Sequence, residues 1–404
     1  MWLYIIMGVL SWVGIYPMTF QLLMFAGFLY SFTLIPKYRI RSYLDLSVTI
    51  YIIYMFLNAI AIQYPHRLEM WKTELFYSIL PITFYFIFKT TDINLEHYIK
   101  KMIVPMVIVM IIGVILYVYS PSWYSALKYA QLFESYGYTE NHVPDKMLRE
   151  AFRLSSIWNT PYVIGYANSF FIIYLIKQLL TGNLYGRDRQ IHILLFLLSF
   201  VVLILAGFKS LLLSFVLSVF IFLMFMRDHK KQFKLLIGSF IFLLLTVFII
   251  ACVDADYYDF FVERFQSTIS KEGMSERLSH TGGGIELNTV FGAGLGKYGM
   301  AAKDYNGWFI QDSQYQKVLA ELGVVGFTLF IFVLLNALFS AWSSKSLLAM
   351  CVVITYIVSF IGSSSISAET TFPFIFWSAL GIISKNTAKG NASKSLHHQQ
   401  HRVI

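Results

Sequence analysis

The chain has 404 residues, 57% of them hydrophobic and 18% aromatic, yet only 13% carry a formal charge, where a soluble protein would carry about 25%. Its net charge is +9 at pH 7 and its mean hydropathy is +0.64. These values exclude an ordinary soluble enzyme. The basic balance is not a nucleic-acid signal either, because no basic patch is interleaved with a soluble fold. Charges fall in bursts between apolar runs of membrane-spanning length, and the runs show no period of two. Helices are therefore expected rather than a barrel. The predicted class is an all-α polytopic integral membrane protein.

In chain order, the predicted spans are roughly Trp2–Tyr16, Pro17–Ile35, Tyr43–Gln63, Leu75–Phe88, Met102–Tyr119, Pro161–Leu180, Ile191–Phe208, Leu211–Met226, Leu235–Val253, Val318–Trp342, Leu347–Gly362 and Phe372–Ser384. That makes about twelve, or eleven if Met1–Ile35, divided only by Gly14 and Pro17, is one tilted span. Residues 1–384 read as a single transmembrane domain with two long hydrophilic loops, at about 121–160 and 254–317. The polar stretch 385–404, with His397, His398 and His401, reads as a disordered, solvated tail rather than a metal site. The N-terminus lacks a basic n-region and an A-x-A site, so the first span is expected to be retained. Cys252 and Cys351 both fall inside spans, which argues against a disulfide framework. No internal repeat is evident, and charges inside the spans are almost absent, which weighs against an ion-coupled carrier.

Orientation follows from the basic loops. One set of connections, including Lys37, Arg39, Arg41, Lys89, Lys100, Lys101, Arg187, Arg189 and the tail, holds 18 basic residues and five acids; the opposite set holds 13 basic residues and 17 acids. The first set is therefore cytoplasmic, and both long loops face outward.

The first long loop carries Trp123, Tyr124, Tyr129, Tyr136 and Tyr138, then Arg149 and Arg153 at a spacing that shares one helical face. Trp158-Asn159-Thr160-Pro161 opens the next span, with proline at a favoured first-turn position. The arginines suit either lipid phosphates at an interfacial belt or a bound anion. Lys209 stands in the very short outward turn Phe208-Lys209-Ser210, where it either points between helices or snorkels to headgroups.

The second loop holds Asp254, Asp256 and Asp259 among aromatics, followed by Glu263-Arg264-Phe265 and Ser275-Glu276-Arg277. Next comes the alternating Gly292-Ala293-Gly294-Leu295-Gly296-Lys297-Tyr298. Such glycines let a backbone turn tightly and bring N–H groups near a ligand. They are not a dinucleotide fingerprint, because no βαβ unit surrounds them. Asp312 lies at the mouth of the following span, where it suits a helix cap or a chemical role. Glu321, one turn inside that span, needs a partner and is expected to form a structural ion pair with an outward-loop arginine.

Taken in order, Arg153-Leu154 leading to Asn159-Thr160-Pro161, Arg264-Phe265, Ser275-Glu276-Arg277, Gly292 to Tyr298 and the run from Tyr315 to Gly326 resemble the O-antigen polymerase/ligase superfamily. The overall plan is similar too: about a dozen spans and a dominant outward loop in the C-terminal half. The resemblance implies a GT-C-like membrane glycosyltransferase in a bacterial inner membrane, with periplasmic active loops and a cytoplasmic C-terminus. It also implies the Wzy-type activity, polymerisation of oligosaccharide repeat units carried on undecaprenyl diphosphate. Ligases of this superfamily typically show His-Asn or His-Ser before the tyrosine. Here Asp312-Ser313 stands there, which favours a polymerase. On this reading Arg153 and Arg277 stabilise the departing diphosphate and Asp312 accepts the acceptor hydroxyl proton. Arg264, Arg149, Lys209, Tyr298 and Tyr315 contact diphosphate or glycan. No metal or other cofactor is implied. Membrane lipids and a Wzz-type chain-length regulator are the expected partners. The alternatives are the ligase, which transfers polymer to lipid A–core, and, from another class, a lipid-linked oligosaccharide flippase.

Overall fold

The computed structural model describes residues 16–61, 66–124, 153–154, 156, 161–182, 184–207, 209–225, 290–299, 302, 305, 310, 313–363 and 372–400. Among these residues all regular structure is helical. The α-helices are α1 (Tyr16–Leu34), α2 (Tyr43–Ala61), α3 (Arg67–Glu74), α4 (Thr83–Thr90), α5 (Leu95–Lys100), α6 (Ile103–Tyr119), α7 (Pro161–Thr181), α8 (Gly186–Leu205), α9 (Lys209–Phe225), α10 (Gln314–Ser343), α11 (Leu347–Ser359) and α12 (Phe372–Gln400). Two of them, α8 and α10, are long and apolar enough to cross a membrane, and four shorter apolar helices lie at Tyr43–Asn58, Ile103–Tyr119, Ser210–Phe225 and Leu347–Ser359. The predicted span Leu235–Val253 and nearly all of Trp2–Tyr16 lie outside the described residues.

The predicted span Leu75–Phe88 is not one regular helix. Between α3 and α4 the chain passes through a π-turn at Leu75–Ile79 and a 3₁₀ turn at Leu80–Ile82. Pro81 explains this. It has no N–H to donate and its ring collides with the carbonyl of the preceding turn, so the hydrogen-bond register slips. A second difference lies at the C-terminus. Where the sequence suggests a disordered tail from Lys385, α12 continues through Gln400. The helix is anchored where the predicted tail begins: Lys385 pairs with Asp92 at 2.8 Å and the Thr387 hydroxyl donates to the Ser340 carbonyl at 2.9 Å. A helix already nucleated and held at one end extends at low cost per residue.

The chain divides into two compact units. One comprises Met1–Tyr16 and Lys101–Gly283, the other Pro17–Lys100 and Gly284–Ile404. In the first unit, α7 packs on α6, α8 and α9. Asn168 on α7 donates to the Ser199 carbonyl of α8 at 2.5 Å, a side-chain-to-backbone bond that ties two apolar helices where packing alone is nonselective.

In the second unit, α10 packs on α2, α11 and α12, and α12 packs closely on α4. A buried polar knot fixes one end of this bundle. Asp45 accepts from the backbone N–H groups of Arg41 and Ser42, from the Tyr85 phenol and from the Ser384 hydroxyl, and pairs with Lys89 at 2.6 Å. Lys89 also donates to the Arg39 carbonyl at 2.6 Å. A buried carboxylate is tolerable only when its acceptor sites are filled in this way.

Candidate functional site

The other end of the second unit is built around a break in α10. Gly323 adopts φ +67°, ψ −169°, which interrupts the helix. An α-helical interruption frees carbonyls that must find new donors, most of all in an apolar setting. Here the donors come from the glycine-rich loop. The Ala293 N–H donates to the Ala320 carbonyl at 2.9 Å and the Gly294 N–H to the Glu321 carbonyl at 3.0 Å. The Tyr54 hydroxyl of α2 supplies the Leu322 carbonyl at 2.8 Å. On the far side of the break, the Val325 N–H donates to the Val290 carbonyl at 3.2 Å. The two motifs farthest along the chain, Gly292–Tyr298 and Tyr315–Gly326, thus form one clasp.

At the centre of that clasp Gly292 and Gly323 meet backbone to backbone, with no room for a side chain on either. Both have positive φ, as do Gly294 and Gly296, a region open to glycine at little cost. Asn58 of α2 closes the arrangement. Its amide donates to the Phe291 carbonyl at 2.7 Å, and its oxygen accepts from the Leu295 N–H at 3.0 Å.

Glu321 lies beneath this loop and is 2% exposed. It accepts the Tyr298 N–H at 3.0 Å and also the Gly296 N–H. One turn earlier on α10, Lys317 pairs with Glu74 at 2.7 Å, and both are buried. Ser78, in the π-turn made by Pro81, donates to the second oxygen of Glu74. Tyr51 of α2 lies within electrostatic reach of both carboxylates. Two acids and one ammonium therefore share a buried pocket, where electrostatic interactions are several times stronger than in water.

The loop N–H groups have a use other than the one the sequence suggests. From Ala293 to Gly299 each donates within the chain: to Ala320, Glu321, Asn58, the Glu321 carboxylate twice, and, from Lys297 and Gly299, to Gly294 and Gly296. The loop is a structural clasp and not an anion cradle. Tyr298 is accordingly buried, grouped with Ala293, Ile310 and Ala320. Tyr315 packs against Phe327, Phe330 and Phe360 and donates its hydroxyl to the Ile357 carbonyl at 2.8 Å. Both tyrosines are packing groups in this arrangement. The turn of helix after Asp312 is firmly held. The Ser313 hydroxyl caps α10, and the Gln314 N–H donates to the carbonyls of Phe360 and Ser363.

In the first unit, Arg153 is wholly buried. Leu154 fixes it from behind, donating to the Leu205 carbonyl at 3.0 Å. The side chain runs over Gly207 (φ +70°), its Cγ and Nε each 3.5 Å from where a Cβ would stand. Ser156 seats the segment on α6 by donating to the Val109 carbonyl at 2.7 Å and lies against Gly113. Lys209 begins α9 two residues after Gly207. Asp312, Arg277, Arg264 and Arg149 lie outside the described residues.

Glu74 and Lys317 were not among the residues singled out from sequence. The signal available was that each directly precedes an apolar run, with opposite charges at two span entrances on the side assigned outward. Among the described residues no group of three or more His, Cys, Asp or Glu is placed to hold a metal ion. No protein-family model matches the chain, and comparison with curated proteins finds no match.

Proposed function

We propose that the chain is a polytopic inner-membrane glycosyltransferase that polymerises undecaprenyl-diphosphate-linked oligosaccharide repeat units at the outer face of that membrane. The observation that carries this reading is the buried Arg153. A guanidinium enclosed among apolar helices is costly and marks a functional position by default, and its planar fork suits phosphate oxygens better than an ammonium does. The joining of the two resembling motifs into one clasp adds support, since it gives their glycines and Glu321 a shared physical role. The arrangement of about twelve spans is supported by the second unit. Arg39 meets Lys89 and Asp92 meets Lys385 at one end, all from loops assigned to the cytoplasm, while Glu74, Lys317 and the glycine loop, all assigned outward, meet at the other.

In the reaction, a hydroxyl of one lipid-linked unit attacks the anomeric carbon of the growing glycan. The new glycosidic bond forms as the bond to the lipid diphosphate breaks, and the electron pair leaves with the diphosphate. Arg153 and Arg277 neutralise the charge that develops there. Asp312 accepts the hydroxyl proton. Arg264, Arg149 and Lys209 hold the diphosphate beforehand. Replacing Arg153 or Arg277 by alanine removes long-chain glycan and leaves single repeat units; ladders of parental length from both variants reject the assignment. Asp312→Asn separates chemistry from structure, because normal polymer from it leaves Asp312 only a capping role.

A transporter of lipid-linked oligosaccharide is the second reading, and one observation favours it: the buried Glu74, Lys317 and Glu321, since charges buried within a membrane protein often line substrate paths. Movement of a lipid-linked oligosaccharide across vesicles containing the purified protein, without chain growth, would select it.

A further inference from the structure

On the side of the second unit assigned to the cytoplasm, the connection from α1 to α2 carries Lys37, Arg39 and Arg41 and no acid. All three cations are exposed. Asp45, the first acid after them, is buried and already paired with Lys89 at 2.6 Å, so nothing within the segment offsets the three charges. Tyr38 is extended (φ −76°, ψ 128°) and turned inward. Its ring meets Phe86 edge-on at 4.8 Å, the Lys89 ammonium stands 4.3 Å from its centre, and its hydroxyl lies 3.1 Å from that of Thr49. In extended backbone the neighbours of an inward side chain point out, as the exposed Lys37 and Arg39 do. The segment is held by main-chain atoms. The Tyr38 N–H donates to the carbonyls of Leu34 and Ile35, the Arg39 carbonyl accepts from Lys89, and the Arg41 N–H donates to Asp45 at 2.8 Å. None of these bonds uses a cationic side chain of the segment.

Apolar side chains are interleaved with the cations: Ile35, Ile40 and Tyr43 are all exposed. An acidic soluble partner would answer the charges alone. A lipid answers both, with phosphate oxygens that suit the arginine forks and acyl chains that cover the apolar groups. The preference for basic residues on the cytoplasmic side accounts for the sign of the loop but not for a backbone fixed at three successive points, which lowers the ordering cost of binding. We propose that Lys37, Arg39 and Arg41, with Ile35, Ile40 and Tyr43, form a binding site for an anionic phospholipid of the cytoplasmic leaflet. The phosphates sit against the cations and the acyl chains against the apolar side chains. The site lies wholly within the second unit and goes beyond the polymerase reading, needing only the orientation assigned from the basic loops.

The test uses the full-length protein in an uncharged detergent and a fluorescent cardiolipin, a phospholipid with two phosphates, with binding read by anisotropy. Arg39→Gln combined with Arg41→Gln weakens binding about thirtyfold, at about fivefold per cation lost beside an anionic surface. Ile40→Ser weakens it too. Lys100→Gln combined with Lys345→Gln, which removes two exposed cations elsewhere on the second unit, leaves it unchanged. Polyglutamate of equal charge does not displace the lipid. Because main-chain atoms hold the segment, the double arginine variant melts with the parent; if it melts early, Lys37→Gln carries the test, with a loss of about fivefold. Parental affinity in these variants overturns the assignment. So does equal weakening by Lys100→Gln with Lys345→Gln, displacement by polyglutamate, or a parent chain that does not bind cardiolipin. Each of these results leaves the polymerase reading, which rests on Arg153, untouched.

Discussion

Lys317 and Glu74 meet at 2.7 Å in a pocket closed to solvent, and the physics of such a pair is asymmetric. Two buried ions together gain little over a well-packed apolar pair, but one left alone is severely destabilising. Lys317→Met should therefore cost about 3–5 kcal/mol, the range for a broken buried pair, while Lys317→Met combined with Glu74→Leu should recover much of that loss. Thermal unfolding in detergent measures both. If the single variant melts with the parent, the pair contributes nothing to the fold. Arg153 poses a different question at the same scale. Arg153→Lys keeps the charge but not the two-pronged geometry, so folding should persist while the glycan ladder shortens markedly. A ladder of parental length would show that charge alone suffices there.

Among the elements, α10 is the most consequential. Its interruption depends on Gly323 and Gly292 occupying the same narrow space with positive φ. Gly323→Ala should destabilise by about 1–3 kcal/mol from backbone conformation alone, with the lost contact to Gly292 in addition. Gly292→Ala disrupts the same contact, so the two losses should not add. A double variant whose loss equals the sum of the singles would mean that the glycines do not share one constraint. This break was hidden in the sequence. Val318–Trp342 reads as one continuous span whose only charge is Glu321, and nothing local distinguishes Gly323 from a glycine at a helix crossing. The helices themselves were legible, because apolar runs of membrane length leave few other folds. The pairing of Glu74 with Lys317 was not, since 243 positions separate them and only the fold brings them together. The destination of the loop N–H groups was equally hidden. Alternating glycines announce a tight backbone but not whether its donors face a ligand or, as with Gly294 and Tyr298, the chain's own Glu321. Arg153 was legible as a candidate from its neighbours in sequence, whereas its complete burial beside Gly207 required the packing of α6 and α8.

At the scale of the whole molecule, the excess of basic residues in one set of loops makes a directional claim that covers both units. Tyr119 and Ile361 are exposed at the ends of α6 and after α11, in connections assigned outward; Tyr43 and Tyr185 are exposed at connections assigned to the cytoplasm. Single cysteines at these four positions, in a chain with Cys252 and Cys351 replaced by serine, should divide cleanly. Tyr119→Cys and Ile361→Cys should react with a membrane-impermeant maleimide in intact spheroplasts, and Tyr43→Cys and Tyr185→Cys only after permeabilisation. The assay reads each unit by two positions, so an error in one leaves the other informative. Inversion of all four would place Arg153 and the glycine loop on the cytoplasmic side, where nucleotide-activated donors are found, and would remove the physical basis for a lipid-diphosphate polymerase at the outer face. Inversion of the first unit alone would contradict the single crossing, Leu235–Val253, assigned between α9 and α10. The expected division agrees with that single crossing and puts Arg153 at the outer face, where the proposed lipid diphosphate departs.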